Sequence, residues 1–485
     1  MTAYDRLFID GEWVSSSGNA VIRVISPHTE EPIAGVPDAT PADVDAAVRA
    51  ARIAFDNGPW PRLDPSERIA VLQRLAERYK QRRAEMAELI TAEIGAPVSF
   101  SKMAQVRLPL MMMSAFCSLA ADYKWQEDRS GFYGHDIRIA KRPVGVVAAI
   151  VPWNMPQFLT ISKAVPALLA GCCVVVKPAP ESPLDALLLA EFVAEAGLPP
   201  GVLNVVTGGP EVGDCLVRHP GVDKVSFTGS TAAGRQVARA CADQTKPVSL
   251  ELGGKSAAIV LEDADPTTVA ASLIAGSLSN SGQICNALTR ILLPTTREAE
   301  FLDALREHMR AMTVGDPRDP HTQIGPLVAA RQRDRVRDFI EGGLEEGARL
   351  VCGGAETPPG LDRGWYVQPT LFADADNTMR IAREEIFGPV LTVISYDNED
   401  DAVRIANDSD YGLAGAVFTP DTDRGYAVAA RVHTGSFGIN QGYTMDPYAP
   451  FGGMKASGYG RELGREGFEG YVHTQSISSA AVPTR

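Results

Sequence analysis

The sequence is short of positive charge, of paired cysteines, of clustered histidines and of long apolar runs, and each shortage closes off a class of function. Basic residues number 46 against 60 acidic ones, a formal net charge of −14, which argues against a nucleic-acid partner or a polybasic membrane surface. Seven cysteines form no disulfide framework, because the count is odd, Cys172 and Cys173 are adjacent and no CxxC pair occurs. A reducing cytoplasm is therefore the expected compartment. The seven histidines are scattered without HExxH or a Cys–His cluster, so no metal is expected. Apolar stretches such as VGVVAAIV at 144–151 fall well short of the ~20 residues that cross a bilayer, and MTAYDRLFIDGEWV lacks the basic and apolar parts of a signal peptide.

What is present is an ordinary globular composition, 45% hydrophobic and 22% charged over 485 residues, too long for one core and expected to divide into two or three domains. Asp64, Pro65 and Glu67 form a helix-start signature for a helix running to Gly95. From 144 onward, the β-rich runs VGVVAAIV, CCVVVKP, VLNVVTG, KVSFTG and PVSLEL alternate with helical segments, one of them opened by a Ser182 cap. Near-continuous apolar strands spaced by helices imply a parallel sheet covered on both faces. A second mixed α/β stretch starts near 256, with ALTRILLP, GPVLTVISY and GLAGAVFTP as strands. The polar hairpin at 128–143 and the tail YVHTQSISSA at 471–480 have no core of their own and read as an arm that pairs with another subunit.

Ligands of parallel sheets bind at the carboxyl ends of the strands. Inspection there finds PWNMP (152–156), KPAP (177–180), FTGSTAAGR (227–235) and ELGGK (251–255). Gly229 and Ser230 lie between a strand and a helix, where free N–H groups favour a phosphate, although glycine at such a turn is more often structural. The segment is not a GxGxxG fingerprint, and GGKS at 253–256 is not a P-loop, since Ser249 stands where the first glycine should be. Glu251 is either a solvated strand-end carboxylate or, shielded in a cleft, a general base. Asn154 is either a helix cap or an oxyanion donor. Cys285 follows the small, polar segment SNSGQI, an odd setting for a thiol that only fills a core. The methionines at 111–113 read as core filler.

PWN, FTGST, ELGGK, GQIC, EEIFGP (384–389) and PFGGMKASGYGRE (450–462), in this order, resemble the aldehyde dehydrogenase superfamily, and the resemblance spans the chain from FIDGEWV at 8–14 to the last strand. It implies an α/β fold with a Rossmann-like cofactor domain (1–124 and 144–253), an α/β catalytic domain (254–469) and a small β oligomerisation arm (125–143 and 470–485) in a homodimer or homotetramer. It implies that Cys285 is the nucleophile, Glu251 the base of deacylation, and Asn154 with the Cys285 N–H the oxyanion hole. Lys163 and Glu462 match a pair that relays protons from the base. For the cofactor, it implies that Lys177 holds the adenosine ribose, that Gly229 and Ser230 lie at the pyrophosphate, and that Glu385 and Phe387 position the nicotinamide riboside. Ile150, Pro152, Trp153, Asn154, Ala179, Pro180, Gly209, Gly213, Phe227, Thr228, Glu251, Leu252 and Gly253 complete the dinucleotide's surroundings. Met155, Phe158, Leu159, Ser162, Ile284, Asn286 and Phe451 line the aldehyde tunnel.

Two positions depart from the family pattern. Pro180 stands where KPSE-type sequences carry the ribose-binding glutamate, so NAD is the expected cofactor with NADP possible. Ser162 stands where small-aldehyde enzymes often carry tryptophan, which implies room for a medium, branched or aromatic aldehyde. The reading from sequence is thus NAD(P)-dependent oxidation of an aldehyde to its acid through a cysteine thioester. The alternatives are a coenzyme A-acylating relative, a cysteine hydrolase without cofactor, which would need a histidine base, and a silent binding protein on the same fold.

Overall fold

The computed structural model describes residues 4–479; residues 1–3, and residues 480–485 of the expected arm, lie outside them. All five apolar runs beyond 144 become strands, and they stand in the order Leu203–Val205, Cys173–Lys177, Val146–Ile150, Lys224–Thr228, Val248–Glu251, every pair parallel. Their side chains are buried on both faces except at Val248, as continuous β-branched runs require. The sheet is not wholly parallel: Leu7–Ile9 with Glu12–Val14 at one edge and Gly458–Tyr459 at the other add antiparallel strands. Gly458–Tyr459 lies inside the range expected for the catalytic domain, yet it completes this first sheet.

Strand order reverses between Val146–Ile150 and Lys224–Thr228, so a crevice opens there at the carboxyl ends. The second sheet runs Arg349–Cys352, Thr370–Ala373, Val390–Tyr396, Arg290–Pro294, Ala257–Val260, Ala414–Phe418, Ser436–Ile439, parallel apart from its first pair. Two apolar clusters flank it, and a separate large cluster underlies the first sheet. Gln126–Ser130, Asp136–Pro143 and Val472–Ser479 form an antiparallel three-stranded sheet of mostly exposed residues.

Three helices differ from expectation. The helix opened by Asp64, whose N–H donates to Glu67 at 2.8 Å, breaks at Arg82 (φ −105°, ψ 20°) into Pro65–Gln81 and Arg83–Ile94. Ser182 caps nothing; the helix Leu184–Ala196 starts after Pro183, and the Ser182 hydroxyl is buried without a partner. Instead Glu93 accepts the Leu184 and Asp185 N–H groups at 2.7 and 3.2 Å, a cap supplied from another helix. The continuous helical stretch Val98–Asp122 is long and apolar enough to cross a membrane by length and composition, although Lys102 and Arg107 interrupt the run in sequence. Here it packs on Pro65–Gln81 and Pro156–Ala170. Met112 and Met113 are fully buried, whereas Met111 is exposed.

Candidate active site

The chain crosses from Glu251, the last residue of the first sheet's edge of parallel strands, to Ala257, the first residue of a second-sheet strand, in a few residues. The carboxyl ends of one sheet therefore face the amino ends of the other. Asn154, Lys177, Gly229 and Glu251 follow strands of the first sheet, whereas Cys285, Glu385 and Phe387 precede strands of the second. A search confined to carboxyl ends finds only half of such a site.

Cys285 lies in the loop between a tight turn, Ser279–Gly282, and Arg290–Pro294. The turn holds Asn280 and Ser281 at φ 50° and 57°, a left-handed conformation that costs of order 1–3 kcal/mol at non-glycine residues. Gly282 follows at φ 74°, and a Cβ there would stand 2.2 Å from the Gly388 carbonyl oxygen. Only glycine lets the nucleophile's loop touch the loop that carries Glu385 and Phe387. The half-buried thiol is pushed up to about 12, by desolvation first and then by the charges of Glu385 and Glu251, against a hydrogen bond from the Asn286 N–H.

Glu251 is 3% exposed and neither carboxylate oxygen has a partner. Burial and the neighbouring Glu462 charge raise its pKa well above the ordinary range, against the pull of Lys163 and Arg461. A Cβ on Gly452 would lie 2.7 Å from Glu251 Oε1, so the absence of a side chain at 452 gives the carboxylate its space. Beside it, Lys163 pairs with Glu462 in full burial and donates to Thr228 Oγ1 at 2.6 Å.

Several expected contacts take other directions. Ser162, expected on the tunnel wall, is buried and donates to Glu462 Oε2 at 2.8 Å; it belongs with the Lys163–Glu462 pair. Thr228, expected at the cofactor, accepts instead from Lys163 Nζ through its hydroxyl oxygen. The Ser230 hydroxyl accepts from the Ala233 N–H at 3.3 Å as the cap of Thr231–Ala242, and the Gly229 N–H is taken by the Glu251 carbonyl at 3.1 Å. Any phosphate there would meet the helix end rather than these groups. Phe451 is 2% exposed, exchanges backbone hydrogen bonds with Glu462 and stacks on Tyr443 at 6.0 Å. Met155, Phe158 and Leu159 are buried in the first cluster, and Ile284 and Asn286 are half-buried beside Cys285.

The cofactor positions gather along the crevice. Ile150, Pro152 and Trp153 close the strand Val146–Ile150, and Trp153 meets Phe387 edge-on at 5.4 Å. Phe387 is held at φ 62°. Glu385 accepts the Gly254 N–H at 3.0 Å, and desolvation pushes its carboxyl up to about 7. Lys177 is buried, donates to the Pro178 carbonyl at 2.9 Å and is pushed down to about 8 by desolvation. Gly213 passes beside its side chain, 3.8 Å from Cδ if it bore a Cβ, in the helix that Gly209 caps. Ala179, Phe227, Leu252 and Gly253 are buried along the same edge. A buried lysine, a helix amino terminus and an aromatic pair in one crevice suit a dinucleotide. Pro180 leaves no carboxylate, but Glu181, overlooked in the sequence, lies in the field of Lys177 and pairs with Arg331 from the helix Ala330–Glu345. Gln332 of that helix donates to the Phe387 carbonyl at 2.8 Å and Arg335 to that of Glu385 at 2.7 Å. Among the described residues no group of three His, Cys, Asp or Glu is placed to hold a metal.

A family model described as "Aldehyde dehydrogenase family" matches residues 13–477. The chain is similar to a geranial dehydrogenase of Castellaniella defragrans, 47% identical over 474 residues and 98% of each chain. It is also similar to a 3-succinoylsemialdehyde-pyridine dehydrogenase of a Pseudomonas species, 42% identical over 98% of this chain and 99% of the relative. The crystal structure of Mycobacterium tuberculosis aldehyde dehydrogenase complexed with NAD+ covers 100% of both chains at 49% identity and TM-score 0.97. A Pseudomonas syringae aldehyde dehydrogenase complexed with NAD+ and octanal matches at 43% identity and TM-score 0.95, over 98% of this chain and 96% of the other.

A thiol raised to about 12 gains thiolate tenfold per pH unit throughout the neutral range. Alkylation of Cys285 by iodoacetamide in cofactor-free enzyme is expected to accelerate with pH up to about 10 without levelling. A plateau reached near pH 8 would show that the surrounding carboxylates do not govern the thiol.

Proposed function

Because the chain belongs to the aldehyde dehydrogenase family and is an NAD-dependent enzyme that oxidises aldehydes, we propose how its own residues carry that reaction. The Cys285 thiolate attacks the aldehyde carbon, and the growing charge on oxygen is met by the Asn154 side-chain amide and the Cys285 N–H. Bound NAD, held along Lys177, the start of Thr231–Ala242, Glu385 and Phe387, supplies the hydride acceptor. A thioester then remains on Cys285. Glu251 takes a proton from water, which attacks the thioester and releases the acid; Lys163 and Glu462 carry that proton away. The observation that carries this reading is the burial of Glu251 with both oxygens unpaired, in the field that also reaches the Cys285 thiol. A carboxylate so placed is free to accept a proton from a water that enters beside the thioester, which favours hydrolysis over transfer to coenzyme A.

Further readings follow from the same geometry. The chain folds as a cofactor domain, a catalytic domain and an arm, with 458–459 returning to the first. A cavity of about 350 Å³, lined by Ser272, Ala275, Gly276, Asn286, Gln441 and Tyr443 among others, opens one residue from Cys285 and is large enough for a medium-sized ligand. Its small wall residues on Pro266–Ser277, with Phe451 stacked on the wall residue Tyr443, fit an extended or branched apolar aldehyde, as the geranial and octanal of the relatives are. Glu181, backed by Arg331, restores a carboxylate near the ribose end of the crevice and favours NAD over NADP. The arm presents Phe132 and Tyr133 at 95% and 87% exposure beside the open edge Val472–Ser479, which suits a second copy of the chain, and the free cysteines suit a cytoplasmic enzyme.

Cys285→Ala is expected to abolish aldehyde-dependent NADH formation while NAD binding stays within about twofold of parent by fluorescence titration; retained turnover would remove Cys285 as nucleophile. Glu251→Gln should give one burst of NADH per site and then a steady rate lower by roughly 10²–10⁴-fold. Steady turnover at the parent rate without a burst would take the base role from Glu251. Across a panel of aldehydes, kcat/KM should rise from acetaldehyde to octanal and geranial by at least about tenfold, and a flat or inverted series would contradict the cavity assignment. Replacing Phe132 and Tyr133 by aspartate should lower the molar mass found by light scattering, whereas an unchanged mass would show that the arm does not hold the assembly.

A further inference from the structure

The backbone carbonyl of Asn154 is gripped by two buried side-chain amides. Gln105 Nε2 donates to it at 2.9 Å and Asn280 Nδ2 at 3.0 Å. Asn154 in turn donates through Nδ2 to the Gln283 carbonyl at 3.0 Å, Gln283 Nε2 donates to the Asn280 carbonyl at 3.1 Å, and Gln283 Oε1 accepts the Val328 N–H at 3.0 Å. Gln105, Asn154, Asn280 and Gln283 are 0%, 4%, 1% and 1% exposed. Three remote segments meet in this ring of amides: the helical stretch through 105, the loop after Val146–Ile150, and the turn before Cys285.

The arrangement is costly. Gln105 Oε1 and Asn280 Oδ1 are buried without partners, a desolvation that no hydrogen bond offsets. Asn280 adds left-handed backbone at φ 50°. Gln105 faces inward from a π-helical segment, Ser101–Arg107, a distortion that recurs where helices serve sites. Apolar residues at 105 and 280 would avoid both orphaned oxygens, and what they could not do is hold the Asn154 peptide.

We infer that Gln105 and Asn280 are positioning residues for the oxyanion donor. They fix the Asn154 peptide, while the Gln283 carbonyl takes one of the two N–H groups of the Asn154 amide. The other N–H is thereby aimed, and because Gln283 lies two residues before Cys285, the donor and the nucleophile are held as one unit. The inference rests on the assignment of Asn154 to the oxyanion hole.

The test is single-turnover NADH formation in Gln105→Leu and in Asn280→Gly, the second chosen because glycine keeps the left-handed backbone and removes only the amide. Each is expected to slow hydride transfer roughly tenfold, less than the 10²–10³-fold expected of Asn154→Ala, since neither touches substrate. Alkylation of Cys285 by iodoacetamide, which develops no oxyanion, should stay within about twofold of parent. In an Asn154→Ala background, the same substitutions should cost less than about twofold, because the group they aim is gone. Single variants at the parent rate, or losses that persist in full without the Asn154 amide, would overturn the inference and leave the oxyanion reading standing. Parent-like hydride transfer in Asn154→Ala itself would overturn both.

Discussion

Glu251 must be buried and must also be left without a donor. An N–H or a cation on its oxygens would hold it as a spent anion with little appetite for a proton. Burying a carboxylate unpaired is among the costlier things a fold can do, and the neighbourhood is built around that cost. Lys163, whose charge reaches Glu251, is committed to Glu462 and Thr228. Gly452 contributes no side chain at the point where Oε1 sits. Glu462 has one oxygen on Lys163 and the other on Ser162, and its charge raises the proton affinity of Glu251 across the gap. Removing water and withholding donors thus raise the proton affinity of this carboxylate, as a base there would need.

The same carboxylates set the state of the nucleophile. Desolvation, Glu385 and Glu251 all disfavour a second negative charge on Cys285, so the resting thiol keeps its proton and is shielded from adventitious oxidation. A positive charge beside Glu385 and Phe387, such as the ring of bound NAD would bring if held there as proposed, would favour its ionisation.

Residue types announced the fold more clearly than they announced contacts. The apolar runs at 146–150, 173–177, 224–228, 290–294 and 414–418 are strands because their β-branched side chains fit a sheet buried on both faces. The cluster of Cys285, Glu251 and Asn154 was legible only through the order of motifs, since they lie on three separate segments that topology brings together. Hydroxyl directions were not legible. Ser162, Thr228 and Ser230 each have one short side chain and several neighbours, and which neighbour wins depends on packing: a relay carboxylate, a relay lysine and a helix N–H respectively. Arg82 was equally silent, since nothing in its type breaks a helix. Glu93 capping a helix that begins ninety-odd residues later in the chain, and Gln105 reaching Asn154, are contacts between distant segments that no local pattern encodes.

The opposed polarity of the two sheets explains why the site divides as it does. Carboxyl ends of parallel strands offer carbonyl oxygens and the helices that follow them, which is where Glu251, Asn154 and the crevice for a dinucleotide are found. Amino ends offer free N–H groups, and anions collect there. The Gly254 N–H holds Glu385, the Asn286 N–H reaches the Cys285 sulfur, and the Cys285 N–H donates to no group among the described residues. The oxyanion proposed to form at Cys285 would therefore lie on the side of the cleft where backbone N–H groups are left free.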